Sequence, residues 1–126
     1  MMIFCHIVDD FYLQGILAKL KQKNWWKENA SDKLYKNDYM IALIIHALSW
    51  AIMIHLPLMI YVLINNINYG MQFISISIGI NMVIHGLVDD AKANRHKINL
   101  QIDQIVHFLQ IWEVLALFNI VIGEIR

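Results

Sequence analysis

Long apolar segments alternate with short polar connections along this chain. Four such segments, at roughly residues 2–20, 39–64, 70–91 and 100–123, approach or exceed the about 20 residues that a helix rising 1.5 Å per residue needs to cross a bilayer. The segment 39–64 is the most continuous, and membrane helices tolerate a proline such as Pro57 when neighbours satisfy the freed carbonyl. The pattern predicts an all-α fold: a polytopic membrane protein with a bundle of four transmembrane helices, forming one membrane-embedded domain over residues 1–126.

The first segment differs from the others because polar residues interrupt it. The stretch MMIFCHIVDDFYLQG places His6, Asp9, Asp10 and Gln14 among apolar neighbours. One Asp at the centre of a membrane helix costs about 2.5–3.5 kcal/mol on insertion scales. Helix 2–20 therefore needs polar partners on the other helices in order to stay inserted.

Composition supports the membrane assignment. Hydrophobic residues make up 59% of the chain and charged residues 16%, whereas soluble domains have about 45–50% apolar and about 25% charged residues. The formal net charge is zero, so the overall balance does not indicate nucleic acid as a partner. The partner that composition predicts is the lipid bilayer.

Basic residues concentrate in two of the three connections between the apolar segments. The connection 65–69 has none. By the positive-inside rule, both basic connections lie in the cytoplasm and both termini lie outside. The basic residues are Lys19, Lys21, Lys23, Lys27, Lys33 and Lys36 in the first connection and Lys92, Arg95 and Lys97 in the third.

Polar residues inside the apolar segments recur at intervals of four, which places them on single helix faces. Counted at about 1.5 Å per residue from the basic end, His46, His85 and His107 each lie about 10 Å deep, and His6 lies at about 20 Å. The common depth predicts that these faces meet, with Asp9 and Asp90 pointing elsewhere. The faces are His6, Asp10 and Gln14; Ser77, Asn81, His85 and Asp89; and Asp103 with His107, while His46 stands alone.

Imidazole and carboxylate side chains together suit a divalent metal such as Zn, Mn or Fe. Seven candidate ligands exceed the needs of one tetrahedral ion, which leaves open two ions or one ion with additional carboxylates that orient the histidines. Polar residues beside them would support the site. The predicted ligands are His6, Asp10, His46, His85, Asp89, Asp103 and His107, and the supporting residues are Gln14, Asn81 and Gln104.

Four short motifs occur in a characteristic order along nearly the whole chain: HIVDDFYLQ, a lone His in the next apolar segment, HGLVDDAK and DQIVH. This order resembles the bacterial and phage membrane family catalogued as domain of unknown function 3307. With the charge distribution, the resemblance implies a multi-pass protein of the bacterial inner (cytoplasmic) membrane, but it supplies no activity. By position it marks His6, Asp10, Gln14, His46, His85, Asp89, Lys92, Asp103, Gln104 and His107.

The residue types favour a metal-dependent hydrolase acting on a lipid-linked phosphate or ester. A metal-bound water would be the nucleophile, a spare Asp or His would act as acid and base, and Lys92 would lie near an anionic group. A proton or ion transporter stays open, as does a noncatalytic phage or bacterial membrane factor whose His and Asp residues only join helices. The sequence decides neither whether the protein is an enzyme nor whether it forms oligomers. The candidate catalytic residues are Asp10, Asp89, Lys92 and Asp103.

Overall fold

A computed structural model describes residues 1–125, with the side chains of residues 1–123. Helices and their connections account for this part of the chain, and no strand occurs in it. The predicted all-α fold is therefore confirmed. In chain order the elements are α1 (Met2–Ile7), a π-helical stretch (Val8–Leu13), α2 (Leu17–Leu20), α3 (Lys23–Asn29), a 3-10 turn (Lys33–Tyr35), α4 (Asp38–Ile64), α5 (Gly70–Ala93) and α6 (Leu100–Ile125).

Three helices in the described part of the chain are long and apolar enough to cross a membrane. The candidate spans are Lys33–Ile64, Gly70–Ala93 and Leu100–Gly123. Large apolar side chains such as Ile41, Ile80 and Leu109 are exposed along them, as suits contact with lipid but not with water. These features are typical of a membrane protein.

The predicted first transmembrane helix, 2–20, is wrong, and so is the prediction of four spanning helices. Helical structure from Met2 ends at Leu13, and the chain turns through Gly15 before α2 begins. Gly15 has a φ of +49°, a left-handed conformation that glycine adopts without the steric cost of a Cβ. Twelve residues rise at most about 18 Å, which is shorter than the hydrocarbon core of about 30 Å.

Helix α4 is the centre of the packing. It contacts α5 along most of its length and also contacts α1, the π-helical stretch and α2, while α6 packs against α5 and α1. Pro57 lies inside α4 without ending it. One half of the bundle has an apolar core formed by Trp50, Ala51, Ile54, Leu58, Val62, Ile74, Ile111, Val114, Phe118 and Ile122, with Met2 at its edge.

The two basic connections meet at the opposite end of the bundle. The backbone N–H of Lys23 donates to Asn94 Oδ1 over 2.7 Å, and Asn94 Nδ2 donates to the Lys21 carbonyl over 3.1 Å. The start of α4, the end of α5 and the start of α6 therefore lie at one end, together with α2 and α3. This arrangement places the polar faces of all the long helices in the same half of the bundle.

The turn at Gly15 gives a test of the broken first segment. Replacing Gly15 with Ala forces a Cβ into a left-handed conformation and should lower the free energy of unfolding by about 1–2 kcal/mol. Gly79→Ala is the matched control, since Gly79 lies in α5 and a Cβ there meets nothing within 4 Å. Thermal unfolding in detergent should show a loss for Gly15→Ala alone. Equal stability of the two variants would mean that residues 2–20 form one regular helix.

Candidate metal centre

Four parts of the chain deliver carboxylates and imidazoles to one buried site near the basic end. The segment Met2–Leu13 and helices α4, α5 and α6 each contribute. Nearly all of these side chains are shielded from solvent, and even the Asp10 side chain is only 8% exposed. The contributing residues are His6, Asp9, Asp10, His46, His85, Asp89, Asp103 and His107.

The π-helical stretch turns two consecutive carboxylates inward. Asp9 accepts a hydrogen bond from Ser49 Oγ over 2.6 Å, and its Oδ2 lies 3.9 Å from His46 Nδ1. Asp10 Oδ1 lies 3.4 Å from the other ring nitrogen, His46 Nε2. The prediction that Asp9 points elsewhere is wrong because it assumed α-helical spacing, whereas i→i+5 bonding widens the turn. Asp90 does point elsewhere, toward Arg95 at 2.6 Å.

A first ligand group surrounds His46. Its Nε2 lies 3.2 Å from His85 Nε2, 3.2 Å from Asp89 Oδ2 and 3.4 Å from Asp10 Oδ1. Ligand atoms about 2.0–2.1 Å from a tetrahedral zinc ion lie about 3.4 Å from one another. The spacing around His46 therefore suits a shared divalent ion, and potential ligand atoms of Asp10, His46 and His85 all lie within 4.8 Å of one another.

A second ligand group lies beside the first. Potential ligand atoms of His85, Asp89 and His107 also lie within 4.8 Å of one another. Asp89 Oδ1 is 4.0 Å from His107 Nε2, and Asp103 Oδ1 is 3.5 Å from the same nitrogen. The two oxygens of Asp89 thus face different histidines, His46 and His107.

Several buried polar atoms at this site make no hydrogen bond within the described residues. An unpaired buried polar group costs about 1–3 kcal/mol, and a cation bound to the lone pairs would offset that cost. Three of these atoms, Asp10 Oδ1, Asp103 Oδ1 and His107 Nε2, are potential ligand atoms of the two groups described above. The two groups therefore form a candidate metal centre. The unpaired atoms are Asp9 Oδ2, Asp10 Oδ1, His85 Nδ1, Asp103 Oδ1 and His107 Nε2.

The charges of the centre do not balance by themselves. Lys21 Nζ donates to Asp89 Oδ2 over 2.5 Å, and Lys92 Nζ donates to Asp103 Oδ2 over 2.5 Å. With neutral imidazoles, four carboxylates against two ammonium groups leave two negative charges, which one divalent ion would neutralise. Such compensation is important where charges are buried away from water. The four carboxylates are those of Asp9, Asp10, Asp89 and Asp103.

Sequence reasoning missed Lys21 and Trp50. Lys21 was assigned to the basic connection, yet it is only 4% exposed, because the turn at Gly15 brings α2 back against the bundle. Trp50 stacks on His85 with ring centroids 4.1 Å apart and an interplanar angle of 16°. No local motif marks either residue, and only the glycine at the turn hints that Lys21 returns to the site.

His6, a predicted ligand, lies beside the two groups rather than within them. Its Nδ1 accepts from Trp50 Nε1 over 2.7 Å, and its Nε2–H donates to Gln104 Oε1 over 3.1 Å. Both ring nitrogens are thus engaged by side chains, although Nδ1 is also 3.4 Å from Asp10 Oδ2. The side chains of Trp50 and Gln104 therefore fix the orientation of the His6 ring.

The predicted supporting residues contact the ligands directly or through one neighbour. Gln14 Nε2 donates to His46 Nε2 over 3.2 Å, and Gln104 Nε2 donates to Asp103 Oδ2 over 3.1 Å. Asn81 acts through Gln110, whose Nε2 donates to Asn81 Oδ1 over 3.1 Å.

Gln110 also sets the tautomer of a ligand. The Nδ1–H of His107 donates to Gln110 Oε1 over 3.2 Å. This hydrogen bond leaves His107 Nε2 as the lone-pair nitrogen that faces Asp89 and Asp103. A hydrogen bond from the second ring nitrogen is the usual way in which proteins orient a metal-binding histidine.

A cavity of about 430 Å³ adjoins the centre at the basic end. Asp10 and Lys92 form part of its wall, so the cavity reaches the ligand groups. Its lining combines charged, amide and apolar side chains: Asp10, Phe11, Gln14, Ala18, Lys21, Gln22, Lys92, Ala93, His96, Leu100 and Gln104.

Comparison of the chain with protein-family models, with curated proteins and with solved structures gives no match. The resemblance to domain of unknown function 3307 therefore stays a prediction from its motifs.

Two buried histidines provide a matched test of metal binding. His85→Ala removes a ligand and should weaken binding of Zn or Mn at least about 10-fold, and Asp89→Ala, Asp103→Ala and His107→Ala should act likewise. His55→Ala should leave the metal affinity unchanged. His55 is as buried as His85, but its two ring nitrogens are used elsewhere: one donates to the Ala51 carbonyl at 2.7 Å and the other accepts from Ser77 Oγ at 2.8 Å. Metal titration of detergent-purified protein measures the difference. Unaltered metal content in all variants would reject the site.

Proposed function

We propose that this protein is a metal-dependent membrane hydrolase that acts on a lipid-linked phosphate or ester, with Zn, Mn or Fe as its metal. One observation carries the proposal: a buried cluster of histidines and aspartates adjoins a 430 Å³ cavity at the basic end of apolar helices. A metal-dependent hydrolase needs an ion site next to a space that admits substrate and water. Here the cluster can hold an ion, and the cavity can admit a head group and water.

Residues of the centre divide into those that line the cavity and those behind it. When bound, the ion would supply a Lewis acid and a water of lowered pKa. Asp10 and Lys92 line the cavity, so Asp10 is placed to take a proton and Lys92 to contact an anionic oxygen. Asp89 and Asp103 lie deeper and are nearly or fully buried, where they would hold the ion.

The apolar half of the bundle disfavours a transporter. An ion or proton path needs polar groups across the whole membrane thickness. Beyond the buried His55–Ser77 pair, however, the core contains Leu58, Val62, Val114 and Phe118. This packing supports a site that is reached from one side only.

A purely structural network fits part of the polar residues. The His55–Ser77 and Asn81–Gln110 hydrogen bonds link helices, as interhelical contacts in membranes commonly do. Such a network is stabilising when its members are satisfied. The unpaired atoms of Asp10, Asp103 and His107 therefore favour a ligand site over packing alone.

Orientation follows from the basic residues at the cavity end. We place that end in the cytoplasm of a bacterial inner membrane, with the connection 65–69 and the end of α6 outside. The predicted outside location of the first residues depended on a spanning helix 2–20 and does not carry over. Helix α1 instead packs beside α4 and α6, within the cytoplasmic half.

Cysteine labelling tests this orientation. In a Cys5→Ala background, Asn66→Cys should react with an impermeant thiol reagent added to intact cells, because the connection 65–69 carries no basic residue. Lys33→Cys should react only after the cells are permeabilised. The opposite labelling pattern would place the cavity on the outer side and overturn the proposed orientation.

A flux assay combined with a release assay tests the activity. Purified protein in liposomes should leave an imposed pH or potassium gradient intact, even with added Mn or Zn, because the apolar half seals the bundle. With metal it should release phosphate or an acyl group from a lipid extract, and Asp89→Asn should slow that release at least about 10-fold. Flux that disappears in Asp89→Asn would reject the hydrolase and establish a transporter.

A further inference from the structure

We propose that Lys21 and Lys92 are exchangeable counter-ions of the metal centre. Each pairs with a carboxylate of the site, and a bound metal takes over those carboxylates and releases the ammonium groups toward the cavity. There they hold the phosphate head group of an amphiphile. This proposal rests on the metal site of the proposed function, and it narrows the substrate class from phosphate or ester to a phosphate-headed lipid.

Lys21 competes directly with a metal ion. Its Nζ bonds Asp89 Oδ2 over 2.5 Å, and the same oxygen lies 3.2 Å from His46 Nε2 and 3.9 Å from His85 Nε2. An ion coordinated by this oxygen and His46 would lie within a few ångströms of the ammonium. Two cations at that distance repel strongly in a poorly solvated site, so metal binding drives Lys21 away.

Lys92 stands in the same relation to the second ligand group. It bonds Asp103 Oδ2 over 2.5 Å and lies 3.8 Å from Asp89 Oδ1. The other oxygen, Asp103 Oδ1, makes no hydrogen bond to any residue that the structure describes, and it faces His107 Nε2 at 3.5 Å. A cation shared by Asp103, Asp89 and His107 would weaken the hold of both carboxylates on Lys92.

The adjoining cavity lies next to both ammonium groups. Lys21 and Lys92 already form part of its wall, and three glutamines and His96 add further polar groups. Ammonium and amide donors suit the oxygens of a phosphate. A neutral ester would leave the released ammonium groups unpaired in a confined site, which is costly.

The rim of the cavity identifies the ligand as an amphiphile. Phe11 and Leu100 line it and are 57% and 56% exposed, at the end of the bundle where lipid head groups meet the basic connections. An acyl chain can lie against these side chains while the phosphate occupies the cavity. Free phosphate would gain nothing from them.

The proposed exchange predicts that removing either lysine changes the affinity for metal and the affinity for a phosphate head group in opposite directions. In full-length protein in detergent, Lys92→Gln and Lys21→Gln should strengthen Zn or Mn binding about 10-fold, because a competing cation is lost. The same variants should weaken metal-dependent binding of dodecylphosphonate, a phosphate mimic that cannot be hydrolysed, at least about 10-fold. Lys19→Gln is the control, since Lys19 is an exposed lysine of α2 outside the cavity wall; it should change neither affinity.

The remaining outcomes separate this proposal from the proposed function. If the lysine variants lose affinity for both metal and phosphonate, the lysines have a structural role and the proposed counter-ion exchange is wrong. Lys92 is 28% exposed at its side chain, so Lys92→Gln should fold even if Lys21→Gln does not, and Lys92→Arg should retain phosphonate binding. If inorganic phosphate binds as tightly as dodecylphosphonate, the assignment of an amphiphile as the ligand is wrong. Failure of wild-type protein to bind metal would reject the hydrolase itself, whereas phosphonate binding requires no turnover.

Discussion

Ionised carboxylates buried between apolar helices must be compensated nearby, and this constraint organises the polar half of the bundle. Asp89 shows it best, because Lys21, His46 and Lys92 all lie within 4 Å of its oxygens and come from three different parts of the chain. The turn at Gly15 and the packing of α2 against α4 bring Lys21 to this carboxylate. Without such partners the buried charge would cost several kcal/mol.

Trp50 lies between the metal centre and the apolar core of the bundle. One face stacks on His85, its Nε1–H donates to His6, and the remainder belongs to the apolar core with Ala51 and Ile54. A large ring with one polar atom suits this boundary, because it excludes water from one side while it satisfies a hydrogen bond on the other. The same side chain therefore contributes to both the metal centre and the apolar core.

Regular helices made much of the site predictable from spacing. Asp103 and His107 are four residues apart on α6, and the structure brings them to 3.5 Å, as i, i+4 spacing requires. Prediction was wrong in the first segment, because hydropathy reveals neither a π-helical stretch nor a left-handed glycine. Lys21 was missed for a related reason: its position depends on how the chain turns back, and its own neighbours in the sequence do not encode that path.

The shortness of the first helical segment, α1 with the π-helical stretch, has a consequence for how the protein is made. A segment that carries Asp9 and Asp10 and is too short to span cannot partition into lipid as an independent helix, because each buried carboxylate opposes insertion. Its partners, among them His46 and Gln104, come later in the chain and are therefore translated after it. We therefore expect the residues of this segment to reach their final position only after α4, α5 and α6 have packed together, although they are translated before them.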